Sequence, residues 1–165
     1  MKVSIITTGG TIEGLDYSNE LSQPLTVGVS IKDLLSRIES DTSYEVIPLF
    51  SKDSRFISEE DLKTLVRRIK TIENNKILIT HGTYTMVETA RYLGRLNLNK
   101  TIILTGAFIL GTEENTDADS NLKFAISQFK EQKTGVFIAM HQSVFNWENV
   151  RKNIEKNKFE TLLSM

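Results

Sequence analysis

Five short segments of this chain, Val3 to Thr8, Tyr44 to Phe50, Lys76 to His81, Thr101 to Ala107 and Gly135 to Met140, are apolar on consecutive positions rather than alternate ones. Strands covered on both faces have that pattern, because neither side of the pleat meets water. The segments between them have helical spacing instead. Ile31, Leu34, Leu35 and Ile38 fall at i, i+3, i+4 and i+7. So do Leu62, Leu65, Val66 and Ile69, and again Leu122, Ala125, Ile126 and Phe129, while Met86, Ala90 and Leu93 mark a further helix. Ser58 followed by Glu59, Glu60 and Asp61 predicts a capped helix start with acidic residues where the helix dipole favours them. Strand and helix thus alternate from end to end. That order predicts an α/β fold, a single three-layer sandwich with a mainly parallel sheet and helices on both faces. Pro48 has no N–H for a ladder, so its strand is expected to pair on one side only.

The 165 residues suit one domain, expected to span 1–165. Twenty basic side chains nearly cancel twenty-one acidic ones, which calls for neither nucleic acid nor an anionic membrane as partner. The absence of cysteine excludes disulfides, thiolate catalysis and cysteine metal sites. One lysine before the short run Val3 to Ile6 is far from a signal-peptide core, and no segment approaches the ~20 apolar residues of a membrane span. A soluble cytoplasmic protein is the expectation.

In open parallel sheets, ligands bind beyond the carboxyl ends of the strands. Those ends read Thr7-Thr8-Gly9-Gly10-Thr11, Lys52-Asp53-Ser54, His81-Gly82-Thr83-Tyr84-Thr85, Thr105-Gly106-Ala107 and His141-Gln142-Ser143. Every one offers a hydroxyl, and three place it near glycines that let backbone N–H groups approach a ligand. Such a rim suits a small polar substrate. The loop Glu13 to Val29 has no period and is of a length that points to function or disorder. Neither spacing of a phosphate-binding glycine loop is present. Asp117, Asp119 and Asn121 alternate like the start of a calcium loop, but Leu122 stands where glycine is needed, and capping of the next helix is the expected role. No metal and no cofactor is expected. His81 and His141 are either bases or ligands, or strand-end side chains bonded to backbone.

Taken together, these segments resemble the bacterial-type asparaginase/glutaminase family of threonine amidohydrolases. "TGGTIEG" resembles the first family motif, "KDSRFISEEDL" the stretch that follows, and "THGTYTMVETARYL" the second motif. "ILTGAFILGTEENTDADSNLKFAI" resembles the fourth block, and "GVFIAMHQSVFNWENVRKN" the segment that ends in the family's lysine. The resemblance implies a fold of the asparaginase N-terminal-domain type, with the chain ending where family members begin a second, smaller domain. It implies homo-oligomers and a small amide as substrate, L-asparagine by default. It also implies roles: Thr11 as nucleophile, Thr83 and Lys152 as a hydroxyl–ammonium pair, and Tyr17 as the tyrosine of the mobile loop. Gly10, Asp53, Ser54, Arg55, Gly82, Tyr84 and Ala107 would surround the substrate, with N–H groups beside Gly10 or after Ala107 facing the oxyanion.

The types make chemical sense. A threonine hydroxyl needs a neighbour to take its proton, and a lysine whose pKa is lowered by burial can supply that base. Blander roles stand beside these. Thr11 can bond its own turn, Thr83 and Thr85 can cap the helix near Met86, and Lys152 can belong to an exposed basic face. Tyr84 departs from the family by standing where an aspartate grips the substrate's α-amino group. With Arg55 nearby, this predicts a substrate less positive, or more negative, than L-asparagine. The alternative function is a catalytically silent amino-acid-binding or regulatory module on the same fold.

Overall fold

In the computed structural model, which describes residues 1–16 and 27–162, the five apolar runs build a single sheet. Its strands are β1 (Lys2–Thr7), β2 (Ser43–Pro48), β3 (Lys76–Thr80), β4 (Thr101–Thr105), β5 (Gly135–Met140) and β6 (Ser143–Asn146), in spatial order β2-β1-β3-β4-β5-β6. The first five are parallel, with Ile5 beside Val46 on one flank and Leu78 on the other, and β6 is antiparallel to β5. Pro48 lies on the edge strand β2, which pairs with β1 alone, as a residue without an N–H requires.

The helices are α1 (Ile31–Ser36), α2 (Glu59–Thr71), α3 (Met86–Gly94) and α4 (Ala118–Ser127). A reciprocal capping box starts α2: the Asp61 N–H donates to the Ser58 hydroxyl, and the Ser58 N–H donates to the Asp61 carboxylate. Alternate strand residues feed two cores. Ile6, Ile77, Ile79, Ile102, Leu104 and Ile138 pack with Leu65, Ile69, Ala90 and Leu93 of α2 and α3. Val3, Ile5, Leu78, Ile103 and Ala139 pack with Ile31, Leu34, Leu122 and Ala125 of α1 and α4. The result is the expected three-layer sandwich.

Two features departed from the sequence pattern. The turn from β5 to β6 is His141-Gln142, with φ of 49° and 63°, a two-residue hairpin without the usual Asn-Gly. The basic, polar end of the chain forms a small separate hairpin of β7 (Arg151–Asn153) and β8 (Lys158–Glu160), pinned by buried Phe159.

Topology places the site. The chain leaves β1 toward β2 in one direction and leaves β3 toward β4 in the other, so a crevice opens between the carboxyl ends of β1 and β3. Three crossovers share one hand. The β4–α4–β5 crossover steps the same way as β3–α3–β4 but places its helix on the opposite face, so it has the other, left-handed sense, against the strong preference of such units.

Candidate active site

At the crevice the backbones of three strand ends touch. Thr8 Oγ1 donates to Thr80 O at 2.7 Å, and the chain then turns through Gly9 and Gly10, at φ 97° and 90°, into a short 3-10 turn, Thr11–Glu13. Side chains rarely adopt such φ values. A Cβ on Gly10 would stand 2.8 Å from the Cα and N of Gly82, and a Cβ on Gly82 would stand 2.9 Å from Ser54 Oγ. Close approach thus brings together the turn that leads into Thr11, the Ser54 loop and the turn that leads into Thr83, with Thr11 partly exposed and Ser54 and Thr83 buried. The loop after β4 closes on the same turn, where the Gly111 N–H donates to Thr11 O at 2.9 Å.

From the far side, β7 brings Lys152, whose Nζ donates to Thr83 Oγ1 at 3.1 Å. Burial pulls its ammonium below the ordinary lysine range, and the nearby Glu88 charge opposes this. Lys152 Nζ lies 4.9 Å from the Tyr84 ring centroid and 5.2 Å from that of Phe108. Tyr84 is 61% exposed, and Arg55 Cζ stands 4.8 Å from the same ring centre. Arg55 is not a bare cation. Its Nε and Nη2 donate to Asp53 Oδ2 at 2.9 and 2.5 Å, and its backbone N–H donates to Oδ1 of the same buried carboxylate. A cleft of about 300 Å³ lies beside Lys152, between Tyr84, Val87, Glu88, Arg91 and Ile154.

Several residues have other duties than those expected. The Ser54 hydroxyl accepts from the Thr85 N–H at 3.1 Å, and Thr85 Oγ1 donates to Ser54 O at 2.9 Å, so Thr85 ties two rim loops together and makes no side-chain cap of α3. Thr83 turns to Lys152. Asp117 does not cap α4 with its side chain. Its carboxylate accepts instead from the N–H groups of Phe108 and Ile109, from Asn121 Nδ2 and from His141 Nε2 at 2.7 Å. The N–H that follows Ala107 is therefore engaged and unavailable to an oxyanion, and the Ala107 methyl lies in the core of the α1 and α4 face. Asn121 is wholly buried. It donates to Gly106 O and accepts from the His141 N–H, both at 3.0 Å.

His81 is buried and pushed down to about 4 by desolvation, so it is neutral. Its Nδ1 must donate to Gly82 O, which can only accept, at 2.6 Å, leaving Nε2 to accept from the Thr89 hydroxyl at 2.9 Å. It orients the peptide before Thr83 and holds no exchangeable charge. Tyr17 lies outside the described residues.

Sequence reasoning did not single out Glu13, Glu88 or Phe108 as site residues. Burial pushes the Glu13 carboxyl up to about 7 against a bond from the Gly9 N–H, and its Oε2 is buried with no hydrogen-bond partner among the described residues. An acidic residue between Ile12 and Gly14, two positions after Thr11, was the available signal.

The family described as "Asparaginase, N-terminal" matches residues 2–164. Among curated relatives, an L-asparaginase of Thermococcus kodakarensis is 29% identical over 98% of this chain and 51% of its own length. A glutaminase-asparaginase of Pseudomonas fluorescens biotype A is 31% identical over 96% of the chain and 48% of its own. Solved structures agree: the Thermococcus kodakarensis enzyme superposes with a TM-score of 0.82, covering 98% of this chain and 51% of that one. A probable cytoplasmic L-asparaginase of Campylobacter jejuni, 27% identical, superposes with a TM-score of 0.80 over 97% and 52%. The chain spans about half the length of the curated relatives it matches.

Proposed function

The chain belongs to the asparaginase family, and from that premise we propose that it is an amidohydrolase that cleaves a small carboxamide through a Thr11 acyl-enzyme. The observation that carries the reading is the bond from Lys152 Nζ to Thr83 Oγ1, set at the crevice where Gly10 meets Gly82. An amine with lowered pKa, hydrogen-bonded to a hydroxyl, can take a proton and return it later.

In this reading the Thr11 hydroxyl adds to the amide carbon as its proton passes toward Thr83 and Lys152. The tetrahedral adduct collapses, the C–N bond breaks and the nitrogen leaves as ammonia after receiving that proton. An ester between Thr11 and the substrate acyl group remains. Water, losing its proton to the same pair, cleaves it to the acid and restores Thr11. In the same reading Ser54 and the Arg55–Asp53 pair are assigned to bind the rest of the substrate, with L-asparagine as the default. Tyr84 supplies no carboxylate for an α-ammonium and favours a less positively charged amide.

The test is an ammonia-release panel over L-asparagine, L-glutamine, D-asparagine and larger amides, with the full chain and Thr11→Ala. Release from at least one amide, lost in the variant, supports the enzyme. Ligand-induced thermal stabilisation without turnover of any amide supports a silent binding module instead, a reading favoured by the aromatic ring at Tyr84.

A further inference from the structure

Lys152 has neighbours that are rare around a half-buried ammonium. It forms no ion pair among the described residues, and its one hydrogen bond there is to a neutral hydroxyl, Thr83 Oγ1. The ring centres of Tyr84 and Phe108, at 4.9 and 5.2 Å, are both within the range at which a π face attracts a cation. The other charged groups around it are committed elsewhere. Arg91 of α3 donates to Val150 O at 3.0 Å, and Arg151 of β7 donates from Nε to Glu160 at 2.8 Å. Arg55 is held by Asp53, and His141, which stacks against Phe108 at 5.1 Å between ring centres, is held by Asp117. Glu88 of α3 acts on Lys152 through its charge, without an ion pair.

We propose that Tyr84 and Phe108 are positioning residues: their two rings hold the Lys152 ammonium on the Thr83 hydroxyl, and Arg55 keeps the exposed Tyr84 ring in place. The brace uses the ring of Tyr84, not its phenol. It stabilises the charged amine against the desolvation that otherwise pulls its proton off, and so sets where Lys152 titrates. That this amine serves catalysis rests on the amidohydrolase reading. The brace itself does not.

The experiment separates the two. In the full chain, Tyr84→Phe is followed by phenylalanines with one, two and three ring fluorines introduced at the same position, which keep the shape but progressively drain the π face. The Lys152 Cε signal, assigned with Lys152→Arg, is titrated by NMR, and ammonia release is followed over the same pH range. Tyr84→Phe should leave the midpoint in place. The trifluoro ring should lower it by about half a pH unit, a roughly threefold loss of proton affinity. Phe108→Leu, which keeps bulk without a ring, should move it the same way. The acid limb of kcat/KM should follow to lower pH, because neutral Lys152 is then available sooner. A midpoint unmoved across the fluorine series overturns the brace, whatever the activity. A midpoint that moves in a protein that cleaves no amide leaves the brace standing and overturns the amidohydrolase reading.

Discussion

The backbone of Gly10 rests directly on that of Gly82: a Cβ at Gly10 would stand 2.8 Å from both Cα and N of Gly82. This contact joins the proposed nucleophile's turn to the turn that carries Thr83. Gly10→Ala must therefore both separate the two turns and adopt φ near 90°, where side chains are strained. The expected result is a fall in Tm of roughly 4–10 °C, from a strain of about 1–3 kcal/mol. Ammonia release should fall further than Tm alone explains, and calorimetry beside the amide assay checks both.

Thr83 and Lys152 should behave as one unit. If the pair moves the proton, Thr83→Val and Lys152→Met should each lower kcat by about 10²–10⁴-fold. The double variant should be little worse than either single one, because the second change removes a partner already disabled. Full additivity of the two losses would show that the bond between them has no part in the reaction.

Glu13 makes stability depend on pH in a defined direction. Its carboxyl is raised from 4.5 to about 7 in the fold, so the folded state binds a proton that the unfolded chain releases near pH 4.5. The contribution is fully present below pH 4.5 and is lost as pH rises through 7. Glu13→Gln keeps an acceptor for the Gly9 N–H and removes the titration. Between pH 5 and 8 the native chain should lose on the order of 2–3 kcal/mol more than this variant, as read from urea unfolding at each pH.

Asn121 is the polar bolt of the opposite side of the rim. Its side chain bonds Gly106 O, the Asp117 carboxylate and the His141 N–H, each at 3.0 Å, from a fully buried position. Asn121→Leu keeps the volume but leaves the buried Gly106 carbonyl and the His141 N–H without their partner, while the Asp117 carboxylate keeps its bonds from Phe108, Ile109 and His141. A loss of about 2–4 kcal/mol in urea unfolding is expected from the desolvation of the two groups left unpaired.

The layers were readable because burial leaves a simple mark: inner strands such as β3 and β4 apolar at consecutive positions, and helices apolar at i, i+3 and i+4. The edge position of β2 followed from Pro48 for an equally local reason. β6 was hidden because His141-Gln142 does not look like a hairpin turn, although both residues adopt positive φ. β7 and β8 were hidden because three-residue strands such as Arg151-Lys152-Asn153 have no periodicity to detect. At the site, the motif residues at the strand ends were visible as types. What they do to one another was not. Arg55 looked like a cation at the rim facing the substrate, and its pairing with the buried carboxylate of Asp53, two residues earlier, was not visible. Asp117 looked like a cap, yet its carboxylate gathers the loop after β4 and His141. Lys152, read by its own neighbours, looked like part of an exposed basic face; only the family resemblance linked it to Thr83, 69 residues earlier, where its ammonium bonds the hydroxyl.

The left-handed crossover at α4 makes chirality a condition of assembly. Because α4 lies on the α1 face, the loop before it crosses the Thr11 turn, and the Gly111 N–H reaches the Thr11 carbonyl. A chain that wound β4–α4–β5 in the common sense would bury a similar apolar helix against the same sheet, on the α2 and α3 side. Its strands, helices and motifs would be unchanged, but the Thr11 carbonyl would lose that cover and Asn121 would be carried away from Gly106 and His141. Such a product would be near-native in helix and strand content and wrong at the crevice, so far-ultraviolet circular dichroism would pass it as folded. Exchange of the Gly111 amide with deuterium would not: it is protected in one winding and open in the other.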